Sequence, residues 1–195
     1  MDAHTAVGDA AIVQSVFDET IALHQRSRDA VQESIIEAAG AIRASIDAGG
    51  KLLVFGNGGS AADAQHMSAE MVGRFERERD GLPAIALTAD GSIVTSVAND
   101  FTFDWVFARQ VDALGKSEDV AFGISTSGRS ANVLAAIEAA NAKGMKTIAL
   151  TGRDGGAIGR AAAIHINVAH DSTARIQEVH RTVIHAICAL VERAR

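Results

Sequence analysis

Lys51-Leu52-Leu53-Val54-Phe55-Gly56-Asn57-Gly58-Gly59-Ser60, running on through Ala61-Ala62-Asp63-Ala64-Gln65-His66 to Glu70, decides the fold. A short apolar run ends in a glycine loop, and the loop passes straight into a helical segment. An apolar run without polar alternation predicts a strand buried on both faces of a parallel sheet. The glycines let backbone N–H groups close on a polar ligand. The helix then sets His66 and Glu70, four residues apart, on one face beside that ligand. One strand-loop-helix unit supplies both a binding cradle and a candidate for chemistry.

Working outward, four more apolar runs follow at Ala84–Leu87, Asp119–Ile124, Lys146–Leu150 and His165–Val168. Helical segments fall between them near 60–77, 104–114, 130–143 and 155–162, with a last one near 173–194. Five such alternations predict an α/β fold: a three-layer αβα sandwich around a five-stranded parallel sheet. The only proline, Pro83, stands just before a strand, where its missing N–H is tolerated. Upstream, residues 10–48 carry Ile12, Val13, Val16, Phe17 and Ile21, then Val31, Ile35, Ile36, Ala39, Ile42 and Ile46, at helical spacing. This predicts N-terminal helices with a break near Gln25–Arg28, stopped by Gly49-Gly50 and available to pair with another subunit. The whole chain, 1–195, reads as one domain: helices over 1–48 and the α/β core over 49–195.

Bulk properties narrow the function. The chain has 195 residues, a size that suits one full core. Its apolar share of 48 % with only 4 % aromatic builds that core from Ala, Val, Ile and Leu. A net charge of −6 leaves no electrostatic footprint for nucleic acid. The one basic run, Arg74 to Arg79, is cancelled by Glu76 and Glu78. The single cysteine, Cys188, lies in an apolar stretch and reads as a buried structural thiol. No apolar run approaches the roughly 20 residues that span a bilayer, and the N-terminus lacks signal-peptide features. The expectation is a cytoplasmic protein without membrane contact.

In a parallel α/β sheet, ligands bind beyond the carboxyl ends of the strands. The first such loop, Gly56-x-Gly58-x-x-Ala61, fits a dinucleotide fingerprint, with Asp90 as the ribose-binding acid. Asp90 lies 34 positions after Gly56, beyond the usual spacing of about 20. The second loop, Ser125-Thr126-Ser127-Gly128-Arg129-Ser130, favours a phosphate instead. Its hydroxyls meet a helix N-terminus, where orphan N–H groups and the dipole attract a dianion. Capping alone needs only one of those hydroxyls. A third segment, Val97-Ala98-Asn99-Asp100, offers two groups able to bond sugar hydroxyls, or an ordinary Asx turn.

His66 and Glu70 form either a metal-ligand pair or an acid/base pair, and Arg74 falls four residues further on. The last helix brings Gln177, His180 and His185 into an apolar stretch, where polar groups need partners. Spacing does not choose between the two histidines. Gln177 and His185 are separated by roughly 12 Å of helix rise, so sharing one ion requires inclined side chains or an irregular helix start.

These motifs together resemble the phosphoheptose (sedoheptulose 7-phosphate) isomerases, a branch of the sugar-isomerase (SIS) superfamily with a flavodoxin-like sheet. The resemblance covers roughly residues 10–194 and rests on GNGGSAADAQH with Glu70, LPAIALTAD, VANDF, GISTSGRSANV, TIALTGRDGG and ARIQEVHRTVIH. It implies a cytoplasmic homotetramer with active sites at subunit contacts. It implies one zinc ion per subunit on His66, Glu70, Gln177 and His185, which favours His185 over His180. It implies substrate contacts from Asn57, Gly58, Gly59, Glu70, Asn99, Asp100, Ser125, Thr126, Ser127, Ser130 and Gln177. The implied reaction converts D-sedoheptulose 7-phosphate to D-glycero-D-manno-heptose 7-phosphate through an enediol, the first step toward the activated heptoses of bacterial surface polysaccharide.

In that reaction Glu70 is the expected carbon base and His185 the opposing acid/base. A zinc-bound carboxylate is a weaker base, so either Glu70 leaves the ion in turnover or the ion mainly organises the site. Ala174 stands where some members carry an acidic residue before RIQE, so a supporting acid/base or substrate contact is either absent or supplied by Asp171, and Arg74 is expected to contact substrate or orient Glu70. The competing function is that of a tetrameric SIS regulator that binds the replication initiator protein without catalysis. A pure scaffold would not need His66, Glu70, Gln177 and His185 together.

Overall fold

The computed structural model of the protein describes residues 3–194. Its centre is a parallel sheet of β1 (Leu52–Gly56), β2 (Ala84–Ala86), β3 (Val120–Ser125), β4 (Lys146–Gly152) and β5 (Ile164–Val168), in the order β2-β1-β3-β4-β5. Leu52 lies opposite both Ala84 and Val120, and Val120 opposite Lys146. β1 and β3 are buried along their whole length, as continuous apolar runs in a two-sided sheet demand.

Among the described residues, seven helices cover the two faces: α1 (Ala3–Asp47), α2 (Gly59–Val72), α3 (Gly91–Asp100), α4 (Ala108–Leu114), α5 (Ala131–Ala142), α6 (Gly156–Ala161) and α7 (Thr173–Glu192). The period of two along each strand decides which face receives which side chain. Leu52, Val54, Phe122, Ile148 and Ile166 meet Ile42 of α1, Met67 and Met71 of α2, and Ile184 and Ile187 of α7. Leu53, Phe55, Ala121 and Ala149 meet Phe107, Val111 of α4, Val133 and Ile137 of α5, and Ile158 of α6. Each fully buried Leu, Ile or Phe is worth about 1.5–3 kcal/mol, so the loops at the strand ends spring from a rigid base.

The three-layer architecture and all five strands match the sequence reading; four details differ. The N-terminal region is one continuous helix rather than two, because Gln25–Arg28 contains no glycine or proline to break the hydrogen-bond ladder. α2 stops at Val72 instead of near 77, with Gly73 as its C-cap. The segment 104–114 divides into a 3-10 turn, Phe103–Trp105, and α4. α3 was not expected at all. Asp90 caps it by accepting from the Ile93 N–H at 3.0 Å, so the carboxylate proposed for a ribose is spent on a helix end.

Candidate active site

The sheet order reverses direction at β1, so the crevice of the fold lies between the carboxyl ends of β1 and β3. The loop after β1 enters α2 through Gly58, whose φ of +56° favours glycine. At Gly59 the absent Cβ leaves room for the Gln177 amide, which a side chain there would push aside. The Asn57 side chain crosses the crevice and pairs reciprocally with Asn132 at the start of α5, at 2.8 and 2.9 Å. Asn132 is buried, and nothing in its local sequence announced this partner.

The second loop follows β3. Ser125 Oγ lies 2.9 Å from Ser130 Oγ and 3.4 Å from Ser127 Oγ, and Ser127 Oγ accepts from the Arg129 N–H at 3.2 Å. Ser130 occupies the N-cap of α5, yet its side chain makes no capping bond. The hydroxyls are gathered with one another at a helix N-terminus, which is the arrangement a phosphate replaces with its own oxygens. Thr126 is half-buried beside them. Gly128, at φ +65°, lets this loop lie against the next one, since a Cβ would strike the Gly155 carbonyl.

α2 and α7 pack against each other on one face of the sheet. His66 Nε2 lies 2.8 Å from His185 Nε2 and 3.3 Å from Glu70 Oε1. The Phe75 ring packs on His185, with centroids 5.4 Å apart. Burial, and then the Arg181 guanidinium, hold His66 below the ordinary histidine value against the opposing pull of Glu70. A neutral imidazole of this kind can accept a proton or ligate a metal. Arg181 is in turn tied to buried Asp63 at 2.6 Å. Burial pushes the Asp63 carboxyl up despite that partner.

The alternatives at the last helix separate here. His185 joins His66 and Glu70, whereas His180 is fully buried and donates from Nε2 to the Thr151 carbonyl at 2.9 Å. Gln177 stands at Gly59 in a hollow it shares with Asp63, Ala174 and Arg181. Asn99 and Asp100 end α3 and bond each other at 2.8 Å, in a helix rather than an Asx turn. Arg74 is exposed beyond the end of α2, so it does not share the helical face of His66 and Glu70. Asp171 opens into a different hollow, with Arg129, Arg153 and Asp154, and does not take the place of an acid at Ala174.

Among the described residues, no three His, Cys, Asp or Glu side chains already enclose a metal-sized space. Two imidazoles on one tetrahedral zinc hold their nitrogens about 3.3 Å apart. The observed 2.8 Å is instead that of a hydrogen bond in which one ring donates to the other. The donor chemistry, two imidazole nitrogens and a carboxylate oxygen, nonetheless suits a divalent ion taking the place of that shared proton.

Residues 14–152 match the model of the SIS domain family. The phosphoheptose isomerase of Halorhodospira halophila is 49 % identical over 99 % of this chain and 96 % of its own length. The solved phosphoheptose isomerase of Neisseria gonorrhoeae superposes with a TM-score of 0.90 at 45 % identity, covering 94 % of this chain and 98 % of that one. The chain belongs to the phosphoheptose isomerase family. A phosphoheptose isomerase from Francisella tularensis agrees, with a TM-score of 0.91 at 39 % identity over 95 % of this chain. The family reading accounts for the two loops together, a polar cradle and a hydroxyl cluster one strand apart. A dinucleotide site would leave the second without a purpose.

Proposed function

We infer that the chain interconverts a seven-carbon ketose phosphate and aldose phosphate, D-sedoheptulose 7-phosphate and D-glycero-D-manno-heptose 7-phosphate, with Glu70 and His185 moving the protons. The observation that carries this is the convergence of Glu70, His66 and His185 from α2 and α7, the two helices that also meet where Gln177 stands at Gly59 of the glycine loop. Ser125, Thr126, Ser127 and Ser130 bind the phosphate at the N-terminus of α5. Asn57, Gly58, Gly59 and Gln177 line the path of the sugar, with Asn99 and Asp100 supplying further hydroxyl contacts. The phosphate is remote from the reacting carbons, and its binding energy holds them in place.

Glu70 takes the proton from C1 of the ketose, giving the enediol, and the same carboxyl returns a proton to C2. His185 relays the O1 proton to O2, so the aldose forms with no net gain or loss of atoms. His66, Glu70, Gln177 and His185 would hold a zinc ion, which when bound polarises the substrate carbonyl. The working unit is a cytoplasmic homotetramer. The exposed Ile12, Val13, Phe17 and Ile21 of α1 give it an apolar contact surface.

The test is turnover of sedoheptulose 7-phosphate in heavy water, followed by NMR, with chelator and with added zinc. Aldose carrying deuterium at C2 is expected, with loss on chelation. Glu70→Gln should abolish turnover while sugar-phosphate binding stays measurable. Substantial activity in that variant would remove Glu70 as the base, and absence of both aldose and exchange in the zinc-loaded protein would overturn the isomerase reading.

A further inference from the structure

α2 ends one residue after Met71, and the carbonyls of its last turn need donors. The Gly73 N–H meets that of Ala69 and the Leu82 N–H that of Met71, and one side chain eight or nine residues ahead meets those of Glu70 and Met71. Arg79 donates from Nη2 to the Glu70 carbonyl at 2.8 Å and from Nη1 to the Met71 carbonyl at 2.9 Å, with Gly73 and Asp80 carbonyls at 3.4 and 2.9 Å. Its Nε lies 3.3 Å from Glu192 Oε1, and the two side chains are only 7 % and 3 % exposed.

Glu192 is the last residue of α7. Its carboxylate accepts three consecutive backbone N–H bonds, from Phe75 at 3.1 Å and from Glu76 and Arg77 at 2.9 Å each. Burial alone would raise this carboxyl, but the three N–H groups and Arg79 hold it below the ordinary glutamate value. Two helices are thereby fastened end to end through a buried charge pair. Glu192 lies seven residues, two turns, beyond His185 on α7 and so on the same face. The segment it grips contains Phe75, whose ring packs on His185. The guanidinium it pairs with grips the backbone of Glu70.

We propose that Arg79 and Glu192 are positioning residues that fix Glu70 relative to His185, an inference that rests on the reading of those two as the proton-transfer pair. The clasp touches neither ligand loop, so it governs the proton-transfer geometry and not substrate capture. A misplacement of about 1 Å at a reacting group costs on the order of 100-fold in rate. Removing the clasp is therefore expected to lower kcat by about 10- to 100-fold and to leave KM within about 2-fold, because the Ser125–Ser130 cluster and the Asn57–Asn132 bridge are untouched.

The experiment compares Arg79→Gln, Arg79→Lys and Glu192→Gln with the wild-type protein in steady-state turnover and amide hydrogen exchange. Arg79→Gln should lose kcat at constant KM and lose protection over 70–79, with β1 and β3 as protected as before. Arg79→Lys should recover part of kcat, since an ammonium still faces Glu192 and reaches one carbonyl. Glu192→Gln keeps the volume and one acceptor oxygen, so it carries the test if Arg79→Gln does not fold. A variant that loses protection over 70–79 yet keeps kcat overturns the proposal. So does activity lost only in proportion to folded protein, with KM and strand protection degraded alike. Glu70→Gln is measured alongside: activity there would refute the base assignment by itself, whereas the clasp fails on its own variants' kcat.

Discussion

His180 and His185 stand five residues apart on α7 and should respond to mutation in opposite ways. His180 is fully buried, and its Nε2–H is committed to the Thr151 carbonyl while Nδ1 has no partner among the described residues. Burial drives its pKa down from 6.5 to about 4. The unfolded chain therefore binds a proton that the folded chain refuses. The stability tied to this group is complete above pH 6.5 and is lost as pH falls toward 4. Between pH 7 and pH 5 the loss works out at about 2 kcal/mol from this one residue. His180→Gln retains an N–H able to reach Thr151 but does not titrate. Urea unfolding at fixed protein concentration should give wild-type and variant profiles that diverge by about that amount as pH falls from 7 to 5. Turnover of the variant at pH 7 should remain near that of the wild type. Parallel profiles would refute the buried, neutral imidazole. Lost turnover in a fully folded variant would move His180 from the core into the reaction.

Other outcomes follow from the loops and the thiol. Gly59→Ala puts a Cβ against the flexible end of Gln177, so it should fold normally, displace that amide and lower kcat/KM, checked by steady-state kinetics and thermal melting. Gly128→Ala combines a positive φ with a backbone collision at Gly155 and should instead destabilise the fold by about 1–3 kcal/mol in urea unfolding. Ser125→Ala removes a hydroxyl from the cluster and should raise KM by about 10- to 100-fold, the equivalent of one charge-assisted hydrogen bond, with little change in kcat. Burial, with Glu70 nearby, pushes the Cys188 thiol up to about 12. A thiol reagent at pH 8 should therefore leave the native protein unlabelled and label it once in urea.

The strands were readable because burial on both faces leaves uninterrupted apolar runs, and each ends within two residues of its expected position. The glycine loop and the hydroxyl cluster were readable for a related reason: glycines and clustered hydroxyls are local in sequence. What escaped depends on distant partners. α2 was carried too far because the residues after Gly73 look helical by composition, and only Glu192, more than a hundred residues away, claims their N–H groups. α3 was missed because Val97–Asp100 reads as a sugar-binding segment or an Asx turn, whereas the cap at Asp90 starts a helix that runs through it. Asn132, Asp63 with Arg181, and Arg79 are ordinary surface-type residues until the fold sets them opposite a partner. Helix spacing left His180 and His185 open, and the burial of one against a carbonyl separates them.

α1 extends roughly 68 Å and lays its middle against the last helix of the chain. Leu23 and Val31 share a core with Val179 and Val183, His24 Nε2 lies 2.9 Å from the Thr182 hydroxyl, and Arg43 donates to the Leu190 carbonyl. α1 thus waits for α7, which follows it in the chain by more than a hundred residues. Until α7 emerges, the sheet face that α1 and α2 also cover lacks its third helix, and His185 and Glu192 do not yet exist. Folding of this chain accordingly depends on contacts of long sequence separation, and loss of the final turn of α7 removes a helix fastener.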